Sequence, residues 1–220
     1  VALGDVVAEV GKLIAEYPTP DGVDLEVGGT VEDQGDAFGD LGTLLILIVI
    51  LVYIVMATQF ESLKFPFIIM FTIPFAFTGV FLALWMTSTP LSLIALIGAI
   101  MLVGIVTKNG IVMVDYMNLL IERGSGVFDA VIAGGKSRLR PVLMTSFTTI
   151  LGMLPLAIGT GAGSETWQPM GIAVIGGLTF STILTLFIVP VLYSILVNRS
   201  QRKEREKLAR LAAEHQASVH

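Results

Sequence analysis

At 220 residues, 54% hydrophobic and only 14% charged, with a mean hydropathy of +0.84, the chain is too apolar for a water-soluble domain and reads as a polytopic membrane protein. The absence of cysteine excludes disulfides, thiolate catalysis and cysteine-based metal sites, and the two histidines, His215 and His220, lie in the polar tail. The net charge of −5 hides a segregation of sign along the chain.

Position 1 is Val rather than Met and residues 1–40 hold no targeting signal, so the sequence is expected to be the C-terminal part of something larger. Val6, Val7, Val10, Leu13 and Ile14 recur at helical spacing, TPDG at 19–22 supplies a stop and a turn, and VDLEVGG at 23–29 reads as a short strand. Neither element buries a core alone, which makes this region the expected end of an extracytoplasmic domain. From Glu32 to Leu41 the polarity falls steadily, predicting a helix that continues from the surface into the bilayer.

Five apolar runs then reach spanning length, at about 41–58, 65–86, 91–121, 141–159 and 168–197, where roughly 20 residues cross the hydrocarbon. Pro74, Pro155 and Pro190 lie within or near the ends of spans, where a kink is tolerated if neighbouring helices satisfy the freed carbonyls. Ala95, Gly98, Gly104 and Gly110 on the third span and Gly171, Gly176 and Gly177 on the fifth are expected to let backbones approach closely. Between the third and fourth spans, Val127, Phe128, Val131 and Ile132 oppose polar positions, predicting an amphipathic helix near 125–137 on the inner membrane surface. The glycines of GTGAGSE at 159–165 look like a phosphate loop, but no strand precedes them and no Gly-Lys-Ser follows, so an outer loop is expected. Residues 198–220 form a charged helical tail with pairs such as Arg202 and Glu206, suited to the cytoplasm and to anionic lipid.

Charge sets the orientation. Residues 1–40 carry acids from Asp5 to Asp40 against the single base Lys12, whereas Lys64, the 122–140 link (Arg123, Lys136, Arg138, Arg140) and the tail are basic. Cytoplasmic loops collect Lys and Arg, so the N-terminus is placed outside and the C-terminus inside, with Trp85 and Trp167 at the outer interface.

One residue resists this plain reading. Lys108 lies about 17 residues into the third span, near mid-bilayer, where a lysine costs roughly 2.5–3.5 kcal/mol unless it faces the bundle and has a partner. Asp115 follows at i+7, about 10.5 Å further along the axis and too far to pair; it is assigned to the interface. With no other mid-span carboxylate, the partner is expected from outside the chain, or to be water and backbone carbonyls, and the electrostatic state of the lysine depends on what stands there. Arg138 and Arg140 before Pro141, and Thr145 with Ser146, Thr148 and Thr149 after it, read from spacing alone as positive-inside anchoring and interhelical hydroxyl bonding. An intramembrane hydrolase is disfavoured, because Asp115 is the only membrane Asp and no membrane His or Cys is available; no catalytic residue and no metal site is assigned.

Taken together, QFESLKFPFIIMFTIPFAFTGV, GAIMLVGIVTKNGIVMVDYMNLL, SRLRPVLMTSFTTILGMLPLAIGTGAG and GGLTFSTILTLFIVPVLYSIL resemble the C-terminal transmembrane half of the resistance-nodulation-division (RND) efflux transporters, from about residue 20 to residue 197. The resemblance is nearest to the hydrophobe and amphiphile multidrug branch, and the polar TKN step speaks against the metal-exporting branch. It implies an all-α membrane protein: a five-helix bundle, half of a twelve-span permease, with a short α/β remnant of the periplasmic porter domain in residues 1–29. The proton relay of the family falls on Lys108, Arg138 and Thr145, with Asn109 as a supporting polar residue, while the carboxylate pair that receives the proton belongs to the other half. The implied function is proton-driven efflux of amphiphilic small molecules, with no cofactor besides the proton and no enzyme activity. Implied partners are the N-terminal half of the permease, two further copies in a homotrimer, a periplasmic adaptor, an outer-membrane channel and lipids of the bacterial inner membrane, but no nucleic acid. Substrate-binding residues fall outside the resemblance. An RND-superfamily member for secretion or lipid export, or a non-catalytic membrane subunit, is the alternative reading.

Overall fold

Hydrocarbon offers backbone groups no hydrogen bonds, so successive apolar runs joined by short links must satisfy themselves as helices. The computed structural model of the protein describes residues 3–16, 30–159, 161 and 163–218, and shows this arrangement. Among the described residues there is no strand, and seven helices follow one another: α1 (Leu3–Glu16), α2 (Thr30–Phe60), α3 (Lys64–Met70), α4 (Ile73–Met86), α5 (Leu93–Glu122), α6 (Val127–Ile158) and α7 (Ser164–Ser218). Among the described residues five stretches are long and apolar enough to cross a membrane: Gly35–Phe60, Lys64–Met86, Leu93–Glu122, Val127–Ile158 and Ser164–Arg199. The strand expected at 23–29 lies outside the described residues.

Three details differ from the sequence reading, each for a local reason. The run 65–86 is not one helix but α3 and α4, separated at Phe71 and Thr72. Pro74 has no N–H to give to the Met70 carbonyl and its ring crowds that turn. The break is closed by Thr72, whose backbone N–H and buried hydroxyl both donate to the Ile69 carbonyl, at 3.0 and 2.6 Å. Secondly, no separate surface helix occupies 125–137, because α6 runs unbroken from Val127 through Pro141 to Ile158. Its buried positions, Val127, Ala130, Gly134, Val142 and Ser146, hold one helical stripe across the proline and seat on neighbouring helices, while Phe128 and Ile132 stay exposed beside it. Thirdly, the fifth span passes into the expected helical tail without a break, as one helix α7 that ends at Ser218; at about 1.5 Å per residue it far exceeds the ~30 Å of hydrocarbon.

Helix α7 is the hub and packs extensively against α4, α5 and α6. Small residues make this possible. A Cβ on Gly79 of α4 would stand 2.5 Å from the Phe180 Cβ and 2.8 Å from the Gly176 carbonyl, and one on Gly171 would stand 2.7 Å from the backbone nitrogen of Ala157. Around these contacts one core joins Val80 and Leu84 to Leu102, Val106, Ala173 and Leu178. A second core, towards the other end, joins Met56, Ile68 and Ile69 to Met113, Met117 and Tyr193. Gly98 and Gly110 also sit in close contacts, against Met170 and Ile69, whereas a Cβ on Gly104 would meet nothing within 4 Å in this chain. It lies on an open face of α5, one turn before Lys108.

The α4–α7 contact is testable by thermal unfolding of the full-length protein in detergent. Gly79→Ala is expected to lower stability by about 1–3 kcal/mol through overpacking, although alanine is the better helix former. A melting temperature equal to the native one would show that the α4–α7 contact is looser than described.

Candidate functional site

The turn at 123–126 reverses the chain, with Gly124 at φ +91° in the left-handed region, so α5 and α6 lie antiparallel and present residues to each other level by level. At the level of Lys108, halfway along α5, a groove of about 140 Å³ is lined by Ile105, Lys108 and Asn109 from α5 and by Thr145, Ser146 and Thr149 from α6. Lys108 and Thr145 are exposed in this chain, Asn109 is half-buried and Ser146 is buried. Behind the groove the Ser146 and Thr182 hydroxyls meet at 2.9 Å, tying α6 to α7. The remaining hydroxyls are satisfied within their own helix: Thr145 donates to the Val142 carbonyl at 3.0 Å and Thr149 to the Thr145 carbonyl at 2.9 Å. The floor is therefore fixed, and among the described residues no carboxylate pairs with Lys108.

Further along the same seam, Arg138 of α6 lies over Tyr116 of α5, with its Cζ 4.5 Å from the ring centroid and its Nε buried without a hydrogen-bond partner. Arg138 does not line the Lys108 groove. Seven residues separate it from Thr145, about 10.5 Å of helix axis. Of the four polar positions singled out in the sequence, Lys108, Asn109 and Thr145 thus come together, and Arg138 stands apart on a neighbouring rung. Tyr116 and the Ser146–Thr182 pair are the additions that sequence reasoning missed. A signal for Tyr116 existed, since it is eight residues from Lys108 and shares its side of the helix.

Asp115 belongs elsewhere. It borders a cavity of about 290 Å³ at the end where α5 finishes, together with Gln59, Glu61, Asn118 and Glu122, and the Tyr193 hydroxyl there donates to Asn118 Oδ1. A roomier cavity, about 440 Å³, lies at the opposite end between α4, α6 and α7; its walls are mainly apolar (Met86, Leu154, Ile158, Ile172) and carry no titratable group. No cluster of three or more His, Cys, Asp or Glu among the described residues is placed to hold a metal ion.

Comparison with known proteins follows this geometry. Residues 1–197 match the AcrB/AcrD/AcrF family. The chain is 38% identical over 199 residues to the swarming motility protein SwrC of Bacillus subtilis, covering 90% of this chain and 19% of SwrC. It is 37% identical over 203 residues to the cobalt-zinc-cadmium resistance protein CzcA of Cupriavidus metallidurans (92% and 19%). Identity to the multidrug resistance protein MdtC of Proteus mirabilis is 35% over 206 residues (93% and 20%). Among solved structures, a heavy metal efflux pump superposes with a TM-score of 0.77 at 29% identity, over 88% of this chain and 20% of that one. The chain therefore spans about a fifth of the length of the relatives it matches.

The hydroxyl pair behind the groove gives a thermodynamic check. Ser146→Ala and Thr182→Val should each destabilise the full-length protein, and the double variant should lose about 0.6 kcal/mol less than the sum, because each single change strands the other hydroxyl. Strict additivity in a double-mutant cycle would dissolve the proposed link between α6 and α7.

Proposed function

The chain belongs to the AcrB/AcrD/AcrF family of RND permeases, and from that membership we propose that its five spans form half of the proton-translocating bundle of an efflux transporter. The observation that carries the reading is Lys108: a cation on an open face halfway along an apolar span, in a groove it shares with Asn109 and Thr145. Facing lipid, such a residue costs roughly 2.5–3.5 kcal/mol; facing a carboxylate supplied by the rest of the permease, it becomes half of a switchable pair. While that carboxylate is ionised, Lys108 pairs with it and draws the helices together. Protonation from outside cancels the attraction, Lys108 is released, and the hydroxyls of Thr145 and Thr149 remain as polar neighbours for whatever enters the groove. The pairing and release of one cation gives α5 and α6 two arrangements, and a shift between them is the mechanical output that drives the export domain.

Arg138 is the second cation of the relay, one rung away. The bundle works with the N-terminal half of the same permease, in a homotrimer, with an adaptor and an outer-membrane channel as its further partners. Trp85 and Trp167 lie at one end of the helices, at Met86 and Gln168, Arg123 lies in the turn at the other, and Lys136 and Arg140 lie in the half of α6 that follows that turn, which supports a bacterial inner-membrane protein with its N-terminal side periplasmic and its C-terminal side cytoplasmic.

For the exported compound, amphiphilic small molecules are the first reading, supported by the residues that resemble the multidrug branch and by the likeness to MdtC. Divalent metal ions are the second, favoured by the likeness to CzcA and to the heavy metal efflux pump. Resistance assays of the full-length protein, with dyes and detergents in one arm and cobalt, zinc and cadmium in the other, decide between them. In the arm that shows export, Lys108→Ala should reduce it at least tenfold with membrane expression unchanged. Undiminished export by that variant would overturn the relay.

A further inference from the structure

Arg138 is held unlike the threonines of α6. Thr145, Thr148 and Thr149 return their hydroxyls to carbonyls of their own helix. The guanidinium of Arg138 instead crosses to α5 and lies over Tyr116, and its Nε is buried there with no acceptor among the described residues. An arginine side chain has many rotamers, and a relay cation is useful only if it occupies one of them when its counter-charge arrives. The face of an aromatic ring attracts a guanidinium without taking any of its five hydrogen-bond donors, and does so more strongly where water is scarce. The ring therefore holds the cation while leaving its N–H groups free for an anion.

We propose that Tyr116 is a positioning residue for Arg138: the ring clamps the guanidinium on the α5–α6 seam, one rung from the Lys108 groove, in the orientation in which it meets an acidic group from the rest of the permease. The register of the two helices supports this. Lys108 faces Thr145 and, eight residues on, Tyr116 faces Arg138 seven residues before Thr145, so the two cations sit on successive rungs of one antiparallel ladder. Gly134 presses against Met117 beside this rung, with the Met117 Cγ 2.6 Å from where a Cβ would be, so α6 is held close to α5 at the clamp. The clamp works by the aromatic face, not by the phenol hydroxyl. This inference rests on the reading of Arg138 as a relay cation.

The test uses the full-length transporter in reconstituted vesicles under an imposed proton gradient, with Tyr116→Phe, Tyr116→Leu and Arg138→Met compared at matched expression and melting temperature. Expected is export within twofold of the native rate for Tyr116→Phe and a loss of at least tenfold for both Tyr116→Leu and Arg138→Met. If Tyr116→Leu does not accumulate, Tyr116→Trp and Tyr116→Met provide the same aromatic against aliphatic comparison. Native-rate export by the aliphatic variant while Arg138→Met is inactive would overturn the clamp and leave the relay standing. An equal loss for Tyr116→Phe and Tyr116→Leu would also overturn it, because the hydroxyl rather than the ring would then matter. Undiminished export by Arg138→Met would remove the relay reading of Arg138 and the clamp with it.

Discussion

A charged lysine halfway along a membrane span must be compensated, and the rest of the molecule is arranged around that requirement. Lys108 sits on the one side of α5 that this chain leaves open, where Gly104 is exposed as well. The remaining sides of α5 are closed by Leu102, Val103, Val106, Met113, Val114 and Met117. An apolar helix carrying a single cation on its uncovered face bears roughly 2.5–3.5 kcal/mol in lipid, a cost that the proposed acidic partner from the rest of the permease would offset.

The cation can be held at a defined level only because the helices behind it do not move freely. Helix α7 supplies the rigid back wall through glycine contacts with α4 and α6, and the buried Ser146–Thr182 pair attaches the groove's second wall to it. Helix α2, by contrast, presents Ile46, Leu47, Ile50 and Ile54 outward and touches the bundle lightly, through α3 and α5. A tightly packed back and a sparsely covered front is a suitable division for a device in which one charge pair forms and breaks.

Much of this was legible in the sequence, because hydropathy and small-residue spacing depend only on local chemistry. The five spans and the anomaly at Lys108 belong to that class. The break at Phe71 and Thr72 was signalled by Pro74 but lost in a hydropathy run that does not register backbone hydrogen bonds. The continuity of α6 was hidden for another reason: a stripe such as Val127, Ala130 and Gly134 has the same period whether it faces a bilayer surface or another helix. The separation of Arg138 from Lys108 depends on the register between two helices, which is set by the turn at 123–126 and by the Gly134–Met117 contact, and spacing within either helix contains no such information.

The most direct measurement is the distance from Lys108 Nζ to the nearest carboxylate oxygen in structures of the full-length transporter determined at neutral and at acidic pH. An ion pair within about 4 Å at neutral pH that opens when the carboxylate is protonated is the expected result. A Lys108 that faces lipid, or that keeps the same partner at the same distance at both pH values, would contradict the account.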